Sequence, residues 1–247
     1  MTLPLIVPAW SLPDNVRAAV TTRVGGISEP PYDTLNLGDH VGDDAAAVAA
    51  NRFRVATSMR LRPESIGWVR QVHGKDVAAL PGEAGGEADA SWTRDPGVAC
   101  AILTADCLPV LFCAGDGSQV AAAHAGWRGL ASGVLEATLS TFQSVDEVSV
   151  WLGPAIGPDA FEVGSEVFQA FVDNDDSAVS AFRHSPERPG HYLADLYTLA
   201  RLRLCQAGIQ AAQIHGGGFC TFRDRERFYS YRRDGQTGRM ASLIWRV

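Results

Sequence analysis

The fold class this sequence predicts is α+β, a layered sandwich of mixed β-sheets flanked by helices, with residues 1–247 forming a single domain. Three observations lead there. Strand-like runs outnumber clear strand–helix–strand units, so a purely parallel, doubly wound sheet does not fit. Residues 101–130, AILTADCLPVLFCAGDGSQVAAAHAGWRGL, read as a β-hairpin that hands over to a helix. With 46% hydrophobic residues the chain can bury one large core, and no repeat, low-complexity tract or linker divides it.

Taken in order, residues 1–24 form an extended segment and then a strand at 16–22, ending in TTRVGG. The loop 28–44, SEPPYDTLNLGDHVGDD, is rich in turn residues, and its Asn36-Leu37-Gly38 lies where loops commonly carry function. Asp43 and Asp44 can cap an Ala-rich helix reaching about residue 59. IGWVRQVHGKDVAAL gives two strand-like runs on either side of QVHG (71–74), and the polar loop PGEAGGEAD leads into the hairpin. Leu130, Val134, Leu135 and Leu139 recur at helical spacing over 127–142. A short strand at 148–152 runs into GPAIGP, whose Gly-Pro pairs demand irregular backbone. Ser165 is the expected cap of a helix at 166–172, and the polar stretch 173–190 reads as a surface excursion. Asp195 caps a further helix to about residue 207, with Leu196, Leu199 and Leu202 on one face. The end of the chain holds seven arginines and strong turn signals.

Composition narrows the function. A net charge of −7 argues against a general nucleic-acid or membrane-surface binder. The five cysteines are an odd number without the spacing of a secreted disulfide scaffold. The start, MTLPLIVPAWSLP, lacks the basic region of a signal peptide, and the run 98–114 is too short and too interrupted to span a bilayer. The expectation is a cytoplasmic protein with reduced thiols.

Chemistry concentrates at one end of the hairpin. A turn centred between Gly115 and Asp116 would set Cys107 opposite His124, with Cβ atoms ~4.5–5.5 Å apart. Asp106 and Arg128 flank the pair, which makes them candidate catalytic groups. His73 ends an apolar run before a glycine and completes a His73, Cys107, His124 ligand set that leaves a fourth position for water. The same pair also reads without metal, as a Cys107 nucleophile activated by His124. Cys100 and Cys113 fall on apolar strand positions and read as core. For an anion the candidates are Arg23 with the Gly25 and Gly26 amides, Arg70 and Arg233; Asn36 and the aromatic Tyr229 complete the substrate-binding candidates. No Walker or dinucleotide-binding glycine pattern is present.

TTRVGG, NLG, QVHG, TADCLPVLF, HAGWRGL, GPAIGP and FYSYRRDGQTGRMASLIW together resemble the YfiH-like family, also called the multi-copper polyphenol oxidoreductase or laccase-domain family. The resemblance spans nearly the whole chain. It implies an α/β sandwich related to bacterial cysteine-dependent deamidase toxins, and a zinc site at His73, Cys107 and His124, a donor set that copper can also occupy. It implies phosphorolysis of adenosine, inosine or methylthioadenosine and deamination of adenosine, with purine nucleoside and phosphate as partners. The alternatives are a copper-dependent polyphenol oxidase, a metal-free cysteine hydrolase and an editing factor for peptidoglycan precursors. Ligand counting disfavours the oxidase: four coppers need many imidazoles, and the chain has six histidines with no His-x-His pair. Oligomeric state cannot be read from the sequence, and a monomer is compatible with it.

Overall fold

The computed structural model describes residues 3–247. In chain order its elements are β1 (Val16–Val20), α1 (Ala45–Ser58), β2 (Ile66–Gly67), β3 (Val77–Ala79), β4 (Ala90–Thr93), β5 (Ala99–Thr104), β6 (Leu108–Ala114) and β7 (Val120–Ala125). There follow α2 (Trp127–Ser132), α3 (Val134–Leu139), β8 (Val148–Leu152), β9 (Glu162–Val163), α4 (Ser165–Val172), β10 (Phe182–His184), β11 (Tyr192–Ala194), α5 (Leu196–Gln206), β12 (Ile214–Gly216), α6 (Tyr231–Asp234) and β13 (Met240–Arg246). The strands form a four-stranded sheet in the order β1-β13-β5-β2, a six-stranded sheet β12-β8-β6-β7-β4-β3 and a small sheet β10-β11-β9. Both large sheets mix parallel and antiparallel pairs, as expected from the sequence.

The period of two along the strands builds the layers. On the inner faces Val20, Cys100, Ile102 and Ile244 meet Leu111, Cys113, Val120 and Ala122. On the outer face of the smaller sheet Ala101, Leu103 and Leu243 pack against Val55 and Ala56 of α1. On the outer face of the larger one Leu108, Val110, Phe112 and Ala123 pack against Leu130, Val134, Leu135 and Leu199 of the helices. The result is helix, sheet, sheet, helix, with β5, β6 and β7 buried at nearly every position.

Several expectations change in detail. In the hairpin Pro109, not Cys107, lies opposite His124, because the turn sits one residue later than expected. A two-residue change of partner keeps every side chain on its face, so Cys107 still converges on His124 as a diagonal neighbour. The helix over 127–142 is broken: Gly133 adopts φ +96°, ending α2 and starting α3. Asp44 and Asp195 cap their helices as expected, but Ser165 is the first residue of α4, and the cap position is Gly164. Leu204, not Leu202, completes the buried face of α5. The stretch 173–190 contains a 3-10 turn and β10. The arginine-rich tail ends in β13, which runs between β1 and β5 as a central strand.

Candidate metal centre

His73, Cys107 and His124 come from three places and meet at one end of the sandwich, their ligand atoms all within 4.8 Å of one another. His124 is the last residue but one of β7 and shares the inner face with Val120 and Ala122. Cys107 stands just before β6, and Asp106 beside it holds φ +93°, a strained conformation for a residue with a Cβ. His73 also has a left-handed backbone, φ +61°. The Cys107 Sγ lies 4.0 Å from His73 Nε2, and the two imidazoles meet edge to face with centroids 4.8 Å apart. Gly126 makes room for them: a Cβ there would sit 3.0 Å from the Cys107 Sγ and 3.1 Å from the His73 ring.

Asp89 explains why this arrangement holds. Fully buried, it accepts hydrogen bonds from the backbone N–H groups of Val72 (3.0 Å), His73 (2.9 Å) and Gly74 (2.6 Å). That clasp offsets the strain at His73. Asp89 also takes the Nδ1 proton of His124 at 2.7 Å, which fixes the ring and leaves Nε2 for the centre. Burial pushes the Asp89 carboxyl up, but these hydrogen bonds outweigh it and hold it below its ordinary value. Burial likewise opposes ionisation of Cys107, yet the charge of His124 and the hydrogen bonds of both histidines bring the thiol down to about 6. For His124 burial pulls the other way, and the Cys107 thiolate and Asp89 carry it up to about 9. The metal-free site is therefore a thiolate–imidazolium pair backed by a carboxylate. Cys100 and Cys113, core thiols as expected, are pushed up to about 12 by burial.

The three residues line a cleft of about 290 Å³ together with His40, Gln71, Tyr231 and Arg239, at the low end of the ~300–1,000 Å³ of small-molecule sites. Gln71 ties the QVHG loop to β5, donating to the Leu103 carbonyl and accepting from its N–H, both at 2.8 Å. Arg239 gives Nη1 to the carbonyls of Thr237 and Gly238, while its Nε and Nη2 have no acceptor among the described residues. Burial lowers its proton affinity, and the nearby Cys107 and Asp106 oppose that. His40 is pulled down by burial and by the charge of Arg239.

The other expected site residues are employed elsewhere. The Asp106 carboxylate accepts from Thr221 Oγ1 at 2.6 Å and from the Arg232 amide at 2.7 Å, so it pins the tail to the Cys107 loop instead of facing the cleft. Arg128 stacks on Trp127 and lines a different cavity. Arg23 binds Asp33, the Arg225 carbonyl and the face of Tyr229. The Gly25 and Gly26 amides both donate to Thr34 Oγ1, at 3.0 and 3.2 Å, which uses the donors an anion would need. Buried Asn36 accepts from the Gly38 and Arg239 amides. Arg70 pairs with Glu87 at 2.7 Å on the surface. Tyr229 is wholly buried, its hydroxyl on the Tyr32 carbonyl at 2.6 Å. Arg233 donates to the carbonyls of Thr221, Phe222 and Phe228. Asp89 and His40 were not among the expected site residues, and Arg239 was one of six arginines at 223–239 from which one or two were expected to grip an anion. Asp89 left only a slight trace, as a carboxylate between two alanines just before a buried strand.

Among known proteins, the family described as multi-copper polyphenol oxidoreductase laccase matches residues 17–247. A purine nucleoside phosphorylase of Pseudomonas aeruginosa, PA4543, is 56% identical, with 97% of each chain covered. The purine nucleoside phosphorylase YfiH of Escherichia coli is 54% identical over 98% of this chain and 99% of its own. The crystal structure of Neisseria meningitidis protein NMB0706 superposes with a TM-score of 0.93 at 48% identity, covering 98% of both chains. That of YlmD from Geobacillus stearothermophilus gives 0.86 at 33% identity over 94% of this chain and 92% of its own.

Proposed function

The chain belongs to the multi-copper polyphenol oxidoreductase laccase family, in its YfiH-like branch, and on that premise we propose that it is a zinc-dependent purine nucleoside phosphorylase that also deaminates adenosine. Adenosine, inosine and methylthioadenosine are its substrates in this reading. The observation that carries it is the convergence of His73, Cys107 and His124 on one cleft, with Asp89 behind and Arg239 in front.

The donor set suits zinc: one thiolate and two imidazoles, one of them oriented by a carboxylate. The ligand atoms of His73, Cys107 and His124, all within 4.8 Å of one another, are the ones that would hold the ion. Bound there, zinc supplies a Lewis acid at the end of the cleft. The protein does the rest. Asp89 keeps the His124 proton on Nδ1, and the clasped loop aims His73. Arg239 offers its Nε and Nη2 donors, which have no acceptor among the described residues, to phosphate, with His40 alongside. Tyr231, 62% exposed at the mouth, offers a face on which a purine can stack. In phosphorolysis a phosphate oxygen bonds to the anomeric carbon as the glycosidic bond breaks towards the base, so an anion site and a base site must share one cleft.

The test is incubation of purified protein with adenosine, with and without phosphate, followed by product identification. Adenine with ribose 1-phosphate supports phosphorolysis, inosine supports deamination, and turnover of neither overturns the reading.

One observation favours a second reading, a metal-free cysteine hydrolase: Cys107, His124 and Asp89 follow one another as nucleophile, base and orienting carboxylate do. In metal-stripped protein, alkylation of Cys107 should rise about tenfold from pH 5 to pH 7 and level off above its value near 6. If zinc abolishes that alkylation and restores nucleoside turnover, the thiol serves as ligand, and the hydrolase reading is wrong.

A further inference from the structure

A second cavity, of about 500 Å³, lies among α2, α4, β9 and the tail, and takes no part in the cleft just described. Trp127, Arg128, Glu162, Arg188, His191 and Arg232 line it. Three arginines outnumber the two glutamates of its lining, Glu162 and Glu166, in a protein whose net charge is −7, and two of the arginines each lie over an aromatic ring. Arg128 lies over the Trp127 ring, 4.4 Å from guanidinium carbon to centroid, and none of its nitrogens has a hydrogen-bond acceptor among the described residues. Arg232 lies over the Phe161 ring at 5.4 Å and gives only Nη1, to the Glu162 carbonyl at 2.7 Å. Its Nε and Nη2 have no acceptor among the described residues.

The carboxylates nearby do not consume these donors. Glu162 is occupied by the Ser185 hydroxyl at 2.6 Å and by Arg188 at 3.1 Å. Those bonds hold it below its ordinary value, so it stays ionised and keeps Arg188 at the rim. Glu166, at the start of α4, is the other counter-charge and forms no ion pair among the described residues. A guanidinium held over an aromatic ring is attracted to its face and can keep N–H groups free for another partner. Two such guanidinium groups at one cavity suit bidentate recognition of phosphate oxygens.

We propose that this cavity is a second ligand site, for a small organic molecule carrying two phosphate groups. Arg128 and Arg232 each grip a phosphate, and Arg188 and His191 close the rim. The site stands on residues outside the metal cleft, so it does not depend on the catalytic reading. Arg232 reaches the two regions by different groups, its amide to Asp106 and its guanidinium to this cavity. A side-chain substitution there leaves the Asp106 contact in place.

The test is calorimetric titration of the zinc-loaded protein with fructose 1,6-bisphosphate, a probe with no purine to compete for the metal cleft. The wild type should bind, with affinity falling steeply as salt rises. Arg128→Gln and Arg232→Gln should each weaken binding about tenfold or more, the loss of a charge-assisted bidentate contact. Arg128→Lys, which keeps the charge but not the fork, should fall between. Arg239→Gln, in the metal cleft, should bind as the wild type does, and circular dichroism should show every variant folded. Absence of binding to the wild type, unchanged affinity in either glutamine variant, or loss of binding in Arg239→Gln would each overturn the proposal.

Discussion

The loop around His73 and the tail from Arg223 to Arg233 are both dense in polar side chains, and they use them in opposite ways. Around His73 the backbone is satisfied by a single buried carboxylate: Asp89 takes three amides at once, and the side chains of His73, Cys107 and His124 are left over for chemistry. In the tail the side chains satisfy the backbone. Arg233 caps three carbonyls of its own irregular segment, Arg227 turns back on Asp224, and Arg23 reaches across to the Arg225 carbonyl. A buried coil must pair its carbonyls, and arginine is a long donor able to do so. A cluster of arginines in a sequence is thus weak evidence for an anion site, whereas thiolate and imidazole converging on one point have no comparable structural use.

Removing the clasp should give the largest effect. Asp89→Asn loses the charge that holds three amides and orients His124, and breaking such a buried partnership costs ~3–5 kcal/mol. Metal affinity should fall ~10–100-fold, as it does when the carboxylate behind a ligating histidine is removed. Competition titration with a chelating dye measures the second quantity and thermal unfolding the first. Arg233→Gln should lower the unfolding temperature yet leave one metal bound per chain. If Arg233→Gln lost the metal as Asp89→Asn does, the contrast between the two regions would collapse.

Next in size is Gly126→Ala. The added methyl meets the Cys107 Sγ and the His73 ring at 3.0–3.1 Å, a tight contact that the two ligands must relieve by moving a few tenths of an ångström. Overpacking of this kind costs ~1–3 kcal/mol. The strain falls on two ligands, so metal affinity should drop about tenfold while the fold persists. Unaltered affinity would mean that the loops around the centre yield more easily than their hydrogen bonding indicates.

The same contrast decides what could be read from the sequence. The two apolar runs at 108–113 and 120–124 on either side of a glycine-containing turn gave the hairpin, and the Cys107–His124 pair followed, because a two-residue error in the turn does not change which face a side chain occupies. The caps Asp44 and Asp195 were legible for a local reason, a side-chain oxygen two or three residues before unpaired amides. Partners distant in the chain were not legible. Asp89 is 35 residues from His124, and β13 joins β1 across more than two hundred residues. Thr34 closes the Gly25-Gly26 amides from a loop with no periodicity to announce its path. The break at Gly133 was missed because the leucine spacing carries on through it.

Arg239 and Arg70 give the finest test of how charge is used. Arg239→Gln removes the free Nε and Nη2 donors from the cleft. If phosphate sits there, its apparent KM should rise about tenfold, equivalent to one charge-assisted hydrogen bond, with metal content unchanged. The anomalous outcome would be an equal rise with nucleoside alone, which would make Arg239 a general support of the cleft.

Arg70 should give the smallest effect. It stands three residues before His73 in the chain, and that nearness is what suggested it as an anion ligand. In the fold the two diverge. Arg70 bridges in parallel to Glu87 and its guanidinium pairs with that carboxylate at 2.7 Å, with the arginine side chain 69% exposed. An exposed pair of this kind is worth at most about 1 kcal/mol and is screened by salt. Arg70→Gln should therefore leave the KM for phosphate within about twofold of the wild-type value, and high salt should erase even that difference. The nucleoside assay at two ionic strengths checks both statements. A rise matching that of Arg239→Gln would show that the anion enters along the edge of Arg70, and that the surface charges of this loop, as well as its clasped backbone, serve the reaction.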